Sequence, residues 1–187
     1  EWIYDYSLAD SIPDGAGQNE SVDLLAAAVP VRVVEWYQKL IRIVGWKLSA
    51  MAPASSAISN LIMSDQGKQD VRRSNCCVMD CGRQGVRLYF YQKGLLFAKR
   101  GLEFCDTEER LLFELEKVWD YYQTCYPGYI PELIYVTGGK RNPLLEAAIT
   151  ERLEAECCDW TKLLDNSQEP VRGLISAEAA GITFWKG

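Results

Sequence analysis

The sequence contains no histidine among its 187 residues. Histidine is the usual general base near neutral pH and the base of the common serine and cysteine nucleophile arrangements, so its absence excludes these mechanisms. Catalysis would have to depend on carboxylates, lysine or a bound metal ion. A zinc site would need ligands drawn from cysteine and carboxylate alone.

Basic residues are also in deficit. The chain has 20 Lys+Arg against 26 Asp+Glu, a net charge of −6. Nucleic-acid-binding proteins usually carry a basic surface, so we expect no nucleic-acid partner. No apolar run approaches the roughly 20 residues that cross a bilayer, and no basic flank precedes an apolar core near Glu1. We therefore expect neither direct membrane insertion nor a signal peptide. Because the chain does not begin with Met, we expect further sequence upstream.

The cysteines follow no recognised pattern. Their number is odd and no C-x-x-C occurs, so neither a disulfide framework nor a common zinc motif fits. We interpret them as reduced thiols that pack as small apolar residues, in a reducing, cytoplasmic setting. They stand at positions 76, 77, 81, 105, 125, 157 and 158.

Apolar periodicity predicts a mixed α/β chain with two units. In the first unit, residues 1–8, 21–29 and 46–52 are expected to be strands, and 30–44 a helix that Gly45 ends. Trp36 falls off the apolar face of that helix and is expected to be exposed. A short helix then follows Pro53, and the polar stretch 64–75 is predicted to be the linker.

The second unit is predicted to begin with a strand meander. Residues 76–81, 85–92 and 95–104 alternate or run apolar, with a tight turn at Lys93-Gly94. A helix follows, with Asp106 as its N-cap and Glu109 closing a capping box. Its spacing places Trp119 and Tyr122 inward and leaves Tyr121 and Tyr126 open. Residues 178–187 are expected to form a last short helix or strand.

Two segments could carry chemistry. "VMDCG" (78–82) delivers Asp80 and Gly82 into a turn, where a carboxylate could orient a metal-bound water and a glycine lets backbone N–H groups approach phosphate. "VTGG" (136–139) ends a strand ahead of a helix, where anions are favoured. Lys140-Arg141 could contact phosphate. The plainer alternatives are that Asp80 caps a turn, that Gly138-Gly139 is a tight turn before the N-cap Asn142 and Pro143, and that Lys140-Arg141 is a solvated pair.

The order of these segments resembles the second lobe of the actin-like fold, and the chain resembles more closely the PilM family of type IV pilus assembly machines. The resemblance lies in five stretches. They are "YDYSL", "VDLLAAAVPVRVVEWYQKLIRIVGWKLSAMAPASSAISNLI", "CCVMDCGRQGVRLYFYQKGLLFAKRG", "ELEKVWDYYQTCYPGYIPELIYVTGGKRNPLLEAAITERL" and "SAEAAGITFWKG".

The resemblance implies a fold and a division into domains. Residues 71–187 would be the second, ribonuclease-H-like lobe. Residues 1–70 would be the remainder of the first lobe, with a small extra α+β subdomain over about 1–52 and a return helix at 53–63. A hypothetical nucleotide site would comprise residues of the two segments above: Asp80, Gly82, Gly85, Gly138, Gly139 and Lys140.

The family's role implies a scaffold at the inner face of the cell membrane. Such a protein is cytoplasmic and binds a short cytoplasmic peptide of a PilN-like membrane protein, in a groove that residues 21–52 would border. An oligomer is possible, and type II secretion systems have comparable platforms. One alternative is a nucleotide-binding actin-like ATPase or kinase whose first phosphate loop lies upstream. Another is a stand-alone α/β interaction domain unrelated to pili.

Three departures from the family weigh against ATP hydrolysis, one being that the family's first phosphate loop is expected to lie upstream of this sequence. Arg83-Gln84-Gly85 replaces the family's phosphate-contacting hydroxyl residues, and an arginine binds phosphate with different geometry. The segment 101–109 joins hairpin to helix almost directly, where the family has a cap subdomain over the nucleotide. The resemblance therefore implies no firm cofactor, although ATP with Mg²⁺ stays a hypothesis.

Overall fold

The computed structural model describes residues 1–8, 24–48, 51–64, 69, 71, 74–103 and 107–163. Within them the chain divides after Pro53 into two compact units, Glu1–Pro53 and Ala54–Gly187. The assignment of residues 1–70 and 71–187 to two lobes of a larger protein stays a prediction. The element expected at 178–187 lies outside the described residues.

The first unit is a strand pair followed directly by a helix. Strands β1 (Trp2–Leu8) and β2 (Leu24–Pro30) are antiparallel, and helix α1 (Val31–Ile43) begins at the next residue. Gly45 adopts a φ of 75° just beyond the helix, which confirms its predicted role as the stop. The third strand predicted over 46–52 is wrong at 46–48 and 51–52, where the backbone has no regular structure.

The second unit is built on a five-stranded mixed sheet in the order β5-β4-β3-β6-β7. Its helices are α2 (Ala54–Met63), α3 (Glu108–Cys125) and α4 (Pro143–Leu153), and a 3-10 turn, Trp160–Leu163, follows the last strand. The strands are β3 (Asn75–Cys81), β4 (Gly85–Gln92), β5 (Leu95–Glu103), β6 (Leu133–Thr137) and β7 (Glu156–Asp159).

Helices cover both faces of this sheet, because alternate residues of β3 point to opposite sides. Cys77 and Met79 pack with α3 and α4, whereas Cys76 and Val78 pack with α2. A strand buried on both faces reads as a continuous apolar run, as "CCVM" does. The described cysteines are all free thiols, as the sequence predicts.

Helix α3 supports the sheet with the predicted aromatic face. Trp119 and Tyr122 are buried, and Tyr121 is exposed. The predicted cap is wrong by one residue, since the Thr107 side chain, rather than Asp106, accepts the hydrogen bond from the Arg110 N–H. None of the helices in the described part of the chain combines the length and apolarity that a membrane span requires.

Candidate functional site

Parallel pairing of β3 with β6 brings the two predicted segments together. Asp80 lies opposite Thr137 at the carboxyl ends of these strands. In α/β sheets ligands bind outside the carboxyl ends of parallel strands. This edge of the sheet is therefore the candidate site, and both sequence segments contribute to it.

The turn between β3 and β4 contains Gly82 and Gly85. The Gly82 N–H donates to the Gly85 carbonyl at 3.0 Å, which closes the turn. Gly85 has a φ of 150°, and a Cβ there would lie 2.0 Å from the Leu102 carbonyl oxygen of β5. Glycine at 85 is thus required by the pairing of β4 with β5.

Gly138 joins the other segment to β3. Its φ is 96°, and a Cβ would lie 2.6 Å from the Cys81 carbonyl oxygen and 2.7 Å from Asp80 Oδ1. The Lys140 N–H donates to the same Cys81 carbonyl at 3.0 Å. Gly139, by contrast, would have open space around a Cβ. The two predicted glycines therefore have different roles, and only Gly138 fits tightly.

Asp80 is the most buried charged group of the site, with 8% of its surface exposed. Its Oδ2 lies 3.6 Å from Nε of Arg87, on the neighbouring strand β4. Sequence reasoning did not single out Arg87, although the alternation of β4 places it on the same face as the end of β3. Within the described residues, no three potential metal ligands come together.

The N-terminus of α4 carries the predicted cap. The Asn142 side chain accepts a hydrogen bond from the Leu144 N–H at 3.0 Å, and Pro143 occupies the first turn. Asn142 Nδ2 also donates to Glu108 at the start of α3. Asn142 thus caps the Leu144 N–H without a ligand, and nucleotide binding at the predicted residues stays a prediction.

Arg141 connects this terminus to β7. Its guanidinium donates to Glu146 of α4 and to Asp159 of β7. The hydrogen bond with Glu146 is the largest of the causes that raise the pKa of Arg141. The sequence predicted Lys140-Arg141 only as a solvated or phosphate-binding pair. The partner Asp159 lies 18 residues away, beyond the range of any local pattern.

Asp159 is held ionised by its neighbours. Burial of the Asp159 carboxyl opposes ionisation, but hydrogen bonds from Thr161 and Arg141 outweigh it and lower the pKa of Asp159. The backbone N–H of Thr161 donates to Oδ1 at 2.9 Å. An ionised carboxylate therefore stands beside Arg141 at neutral pH.

The Asp159→Asn variant should lose about 0.5–1 kcal/mol of unfolding free energy at neutral pH, since the pair is partly exposed. Because the folded pKa is depressed, this contribution is complete above the unfolded pKa of about 3.9 and is lost as pH falls through the folded value. Urea unfolding at neutral pH and near pH 3 measures the difference between wild type and variant. Asp120→Asn on the exposed side of α3 is the control, and a difference that is the same at both pH values would contradict the assignment.

The cysteine at this site is a structural residue. Burial is the largest cause that raises the pKa of Cys81 to about 12, and the charges of Asp80 and Glu146 add to it. Reactive cysteines have a lowered pKa and some exposure, so Cys81 does not fit a nucleophile.

The first unit offers a different kind of surface. All residues of α1 are described, and none of them is buried. Trp36 is exposed, as the sequence predicts. A cleft of about 240 Å³ lies at the end of the helix, within the region 21–52 expected to border a peptide groove. It is lined by Gln38, Ile41, Arg42, Trp46, Lys47 and Leu48.

Comparison with known proteins gives structural matches only. No family model matches the chain, and no curated protein matches it. Among solved structures it is similar to PilM of the PilM-PilN type IV pilus biogenesis complex, with a TM-score of 0.72 and 15% identity over 96% of this chain and 65% of that chain. The chain thus spans 65% of the length of that relative.

A second match supports the same architecture. A Bacteroides thetaiotaomicron protein with an actin-like ATPase fold and unknown function gives a TM-score of 0.54 and 11% identity, over 99% of this chain and 60% of that chain. At these identities the likeness concerns the fold. The predicted mixed α/β, actin-like class is thereby confirmed, as is the structural resemblance to PilM.

Proposed function

We propose that this chain is a non-catalytic, actin-like scaffold of a type IV pilus or type II secretion-like assembly platform. The structural likeness to PilM over 96% of the chain carries the proposal. That relative forms a complex with PilN. By the same likeness, the partner here is a cytoplasmic peptide of a PilN-like membrane protein, and the chain acts in the cytoplasm at the inner face of the membrane.

The charges of the candidate site favour a role without catalysis. Asp80, Glu146 and Asp159 place carboxylates at the edge of the sheet where a phosphate would approach. The guanidinium of Arg141 is already shared between two of them. An incoming phosphate would therefore have to compete with these carboxylates for Arg87 and Arg141, beside a helix terminus that Asn142 caps.

The cleft in the first unit is the proposed peptide site. It combines the exposed indole of Trp46 with the charges of Arg42 and Lys47. Tryptophan and arginine are the side chains that most often dominate binding energy at interfaces. A peptide with an apolar side chain and a carboxylate would complement both features.

Calorimetric titration tests this proposal with peptides from the N-terminal cytoplasmic segment of a PilN-like membrane protein encoded beside this chain. We expect one-to-one binding that Trp46→Ala weakens about tenfold or more. Tyr121→Ala, which removes an exposed aromatic side chain from the second unit, is the matched control and should leave the affinity unchanged. No binding to any such peptide would overturn the proposal.

Nucleotide binding is a second candidate function. The observation that favours it is the meeting of two parallel strand ends at Asp80 and Thr137, beside the close-packed Gly138. Titration of the chain with magnesium-ATP tests it. A titration that shows no heat of binding would contradict this candidate and leave the scaffold proposal intact.

A further inference from the structure

Helix α1 is strongly amphipathic. Val33 and Ile41 of its apolar side are half-buried, whereas a row of apolar residues along one margin of that side is open to solvent. Trp36, Leu40 and Ile43 follow one another at i, i+4 and i+7, so they form one row along the helix. All three are exposed, and Ile43 has 81% of its surface accessible. An apolar row of this kind requires a covering surface or an apolar environment.

Basic residues border this row. Arg32 lies one turn before Trp36, and Lys39 lies between Trp36 and Ile43 at spacings of three and four residues. Residues 31–48 contain four basic side chains and one acidic one, a formal charge of +3 in a chain whose net charge is −6. The segment is therefore a local positive region, and its complement is an anionic surface.

The described tryptophans differ in exposure between the two units. Trp2, Trp36 and Trp46 of the first unit are all more than half exposed, whereas Trp119 and Trp160 of the second unit are buried. Tryptophan is enriched where an apolar medium meets water, because its ring is apolar and its N–H is polar. Exposed indoles beside an open apolar row are typical of a segment that lies at such a boundary.

We propose that α1 binds an anionic lipid surface, lying in the plane of the membrane. Trp36, Leu40 and Ile43 enter the boundary between headgroups and acyl chains, and Arg32 and Lys39 contact the phosphate groups. A basic amphipathic helix with tryptophan and aliphatic residues on its apolar face has the chemistry of interfacial helices. Such a helix lies on the bilayer and does not span it, so it requires no long apolar segment.

This inference does not depend on the peptide partner. It would bring the scaffold to the membrane by lipid contact, in addition to any protein contact there. The peptide cleft uses Trp46 and Arg42 at the end of the helix, whereas the lipid surface uses the row of Trp36, Leu40 and Ile43. The two surfaces can be tested with different variants and different assays.

Flotation of the chain with lipid vesicles, in the absence of peptide, tests the proposal. We expect binding to vesicles of phosphatidylcholine mixed with phosphatidylglycerol that is at least about tenfold stronger than binding to phosphatidylcholine alone. High salt should weaken it, since the attraction is screened. The comparison needs only the wild-type chain, so it does not depend on the folding of any variant.

Variants locate the contact on α1. Lys39→Gln should weaken binding about fivefold, and the double change Trp36→Ala with Ile43→Ala should weaken it about tenfold or more. Lys117→Gln and Leu144→Ala remove an exposed charge and an exposed apolar side chain from the second unit, and are the matched controls. Far-ultraviolet circular dichroism checks that α1 and the rest of the fold are retained.

Several results would overturn the lipid assignment. These are equal binding to both kinds of vesicle, no binding to either, or α1 variants that bind as the controls do. Binding to immobilised polyglutamate without binding to vesicles would also overturn it, and would instead assign the surface to an acidic protein. Because no peptide is present, failure here leaves the PilN-like partner untouched, and failure of the peptide titration leaves the lipid result untouched.

Discussion

Gly138→Ala is expected to lower the free energy of unfolding by about 2–4 kcal/mol. Its φ of 96° is strained for any residue with a Cβ, and the added methyl group would lie 2.6 Å from the Cys81 carbonyl oxygen. That carbonyl accepts the hydrogen bond from the Lys140 N–H, so a shift to relieve the clash would also disturb the contact between β3 and the β6–α4 turn. Urea unfolding followed by tryptophan fluorescence measures the loss.

Gly139→Ala is the matched control, because it makes the same chemical change one residue further on. A Cβ at 139 would meet no atom within 4 Å, and its φ is outside the left-handed region. Its effect should be within about 0.5 kcal/mol. If Gly138→Ala were as mild as its neighbour, the close packing of Gly138 against Asp80 and Cys81 would be refuted.

Measuring magnesium-ATP binding with the same two variants separates packing from ligand contact. Substitution of a glycine that is needed only for packing changes the stability of the protein. Substitution of a glycine that a ligand approaches also changes the affinity for that ligand, under conditions where the variant is folded. The scaffold proposal requires no ATP binding, so we expect neither variant to change the result of the ATP titration. Binding by the wild type that Gly139→Ala abolishes would instead favour the nucleotide-binding candidate.

The elements with strong local signals could be predicted from the sequence. The meander β3–β4–β5 alternates or runs apolar, and Lys93-Gly94 supplies the two positive φ angles of its tight turn. Asn142 and Pro143 identify the start of α4 because the capping chemistry is local. Trp119 and Tyr122 follow from helical spacing alone.

Features that depend on distant partners could not be predicted. The strand β7 has only four residues and is specified by its parallel pairing with β6, which no local pattern encodes. The contacts of Arg141 with Asp159 and of Asp80 with Arg87 depend on the assembled sheet, which brings these residues together. In the strand expected at 46–52, the described residues 46–48 and 51–52 have suitable side chains but form no strand, because propensity alone is not enough without pairing.

That the two segments lie side by side could be inferred from the sequence only through a resemblance, and nucleotide binding at Asp80, Gly82 and Gly138 stays a prediction. The sequence did not reveal why Gly85 must be glycine, because the reason is the carbonyl of Leu102 across the strand pair. The sequence also predicted the same role for Gly138 and Gly139, whereas only Gly138 is closely packed in the structure.

Phe90→Ala is expected to have the largest effect on the second unit, a loss of about 3–5 kcal/mol. The Phe90 side chain is fully buried and joins β4 to β5 and α3. Its ring centroid lies 4.5 Å from that of Tyr122, 5.7 Å from Trp119 and 6.0 Å from Phe97. Truncation removes all three ring contacts and leaves a cavity that the sheet cannot close, because strand pairing holds β4 in place on both sides.

Since whole domains are stable by only about 5–15 kcal/mol, this loss could unfold a large fraction of the second unit at room temperature. Tyr121→Ala, which removes an exposed ring of α3, should cost less than about 1 kcal/mol and is the control. Urea unfolding gives both values, and near-ultraviolet circular dichroism reports whether the aromatic cluster keeps its packing. A loss below about 1 kcal/mol for Phe90→Ala would mean that packing of the sheet against α3 does not depend on the Phe90 ring. The stability of the second unit would then have to come mainly from the packing of α2 on the other face, where the Tyr91 hydroxyl donates to the Ser55 carbonyl at 3.0 Å.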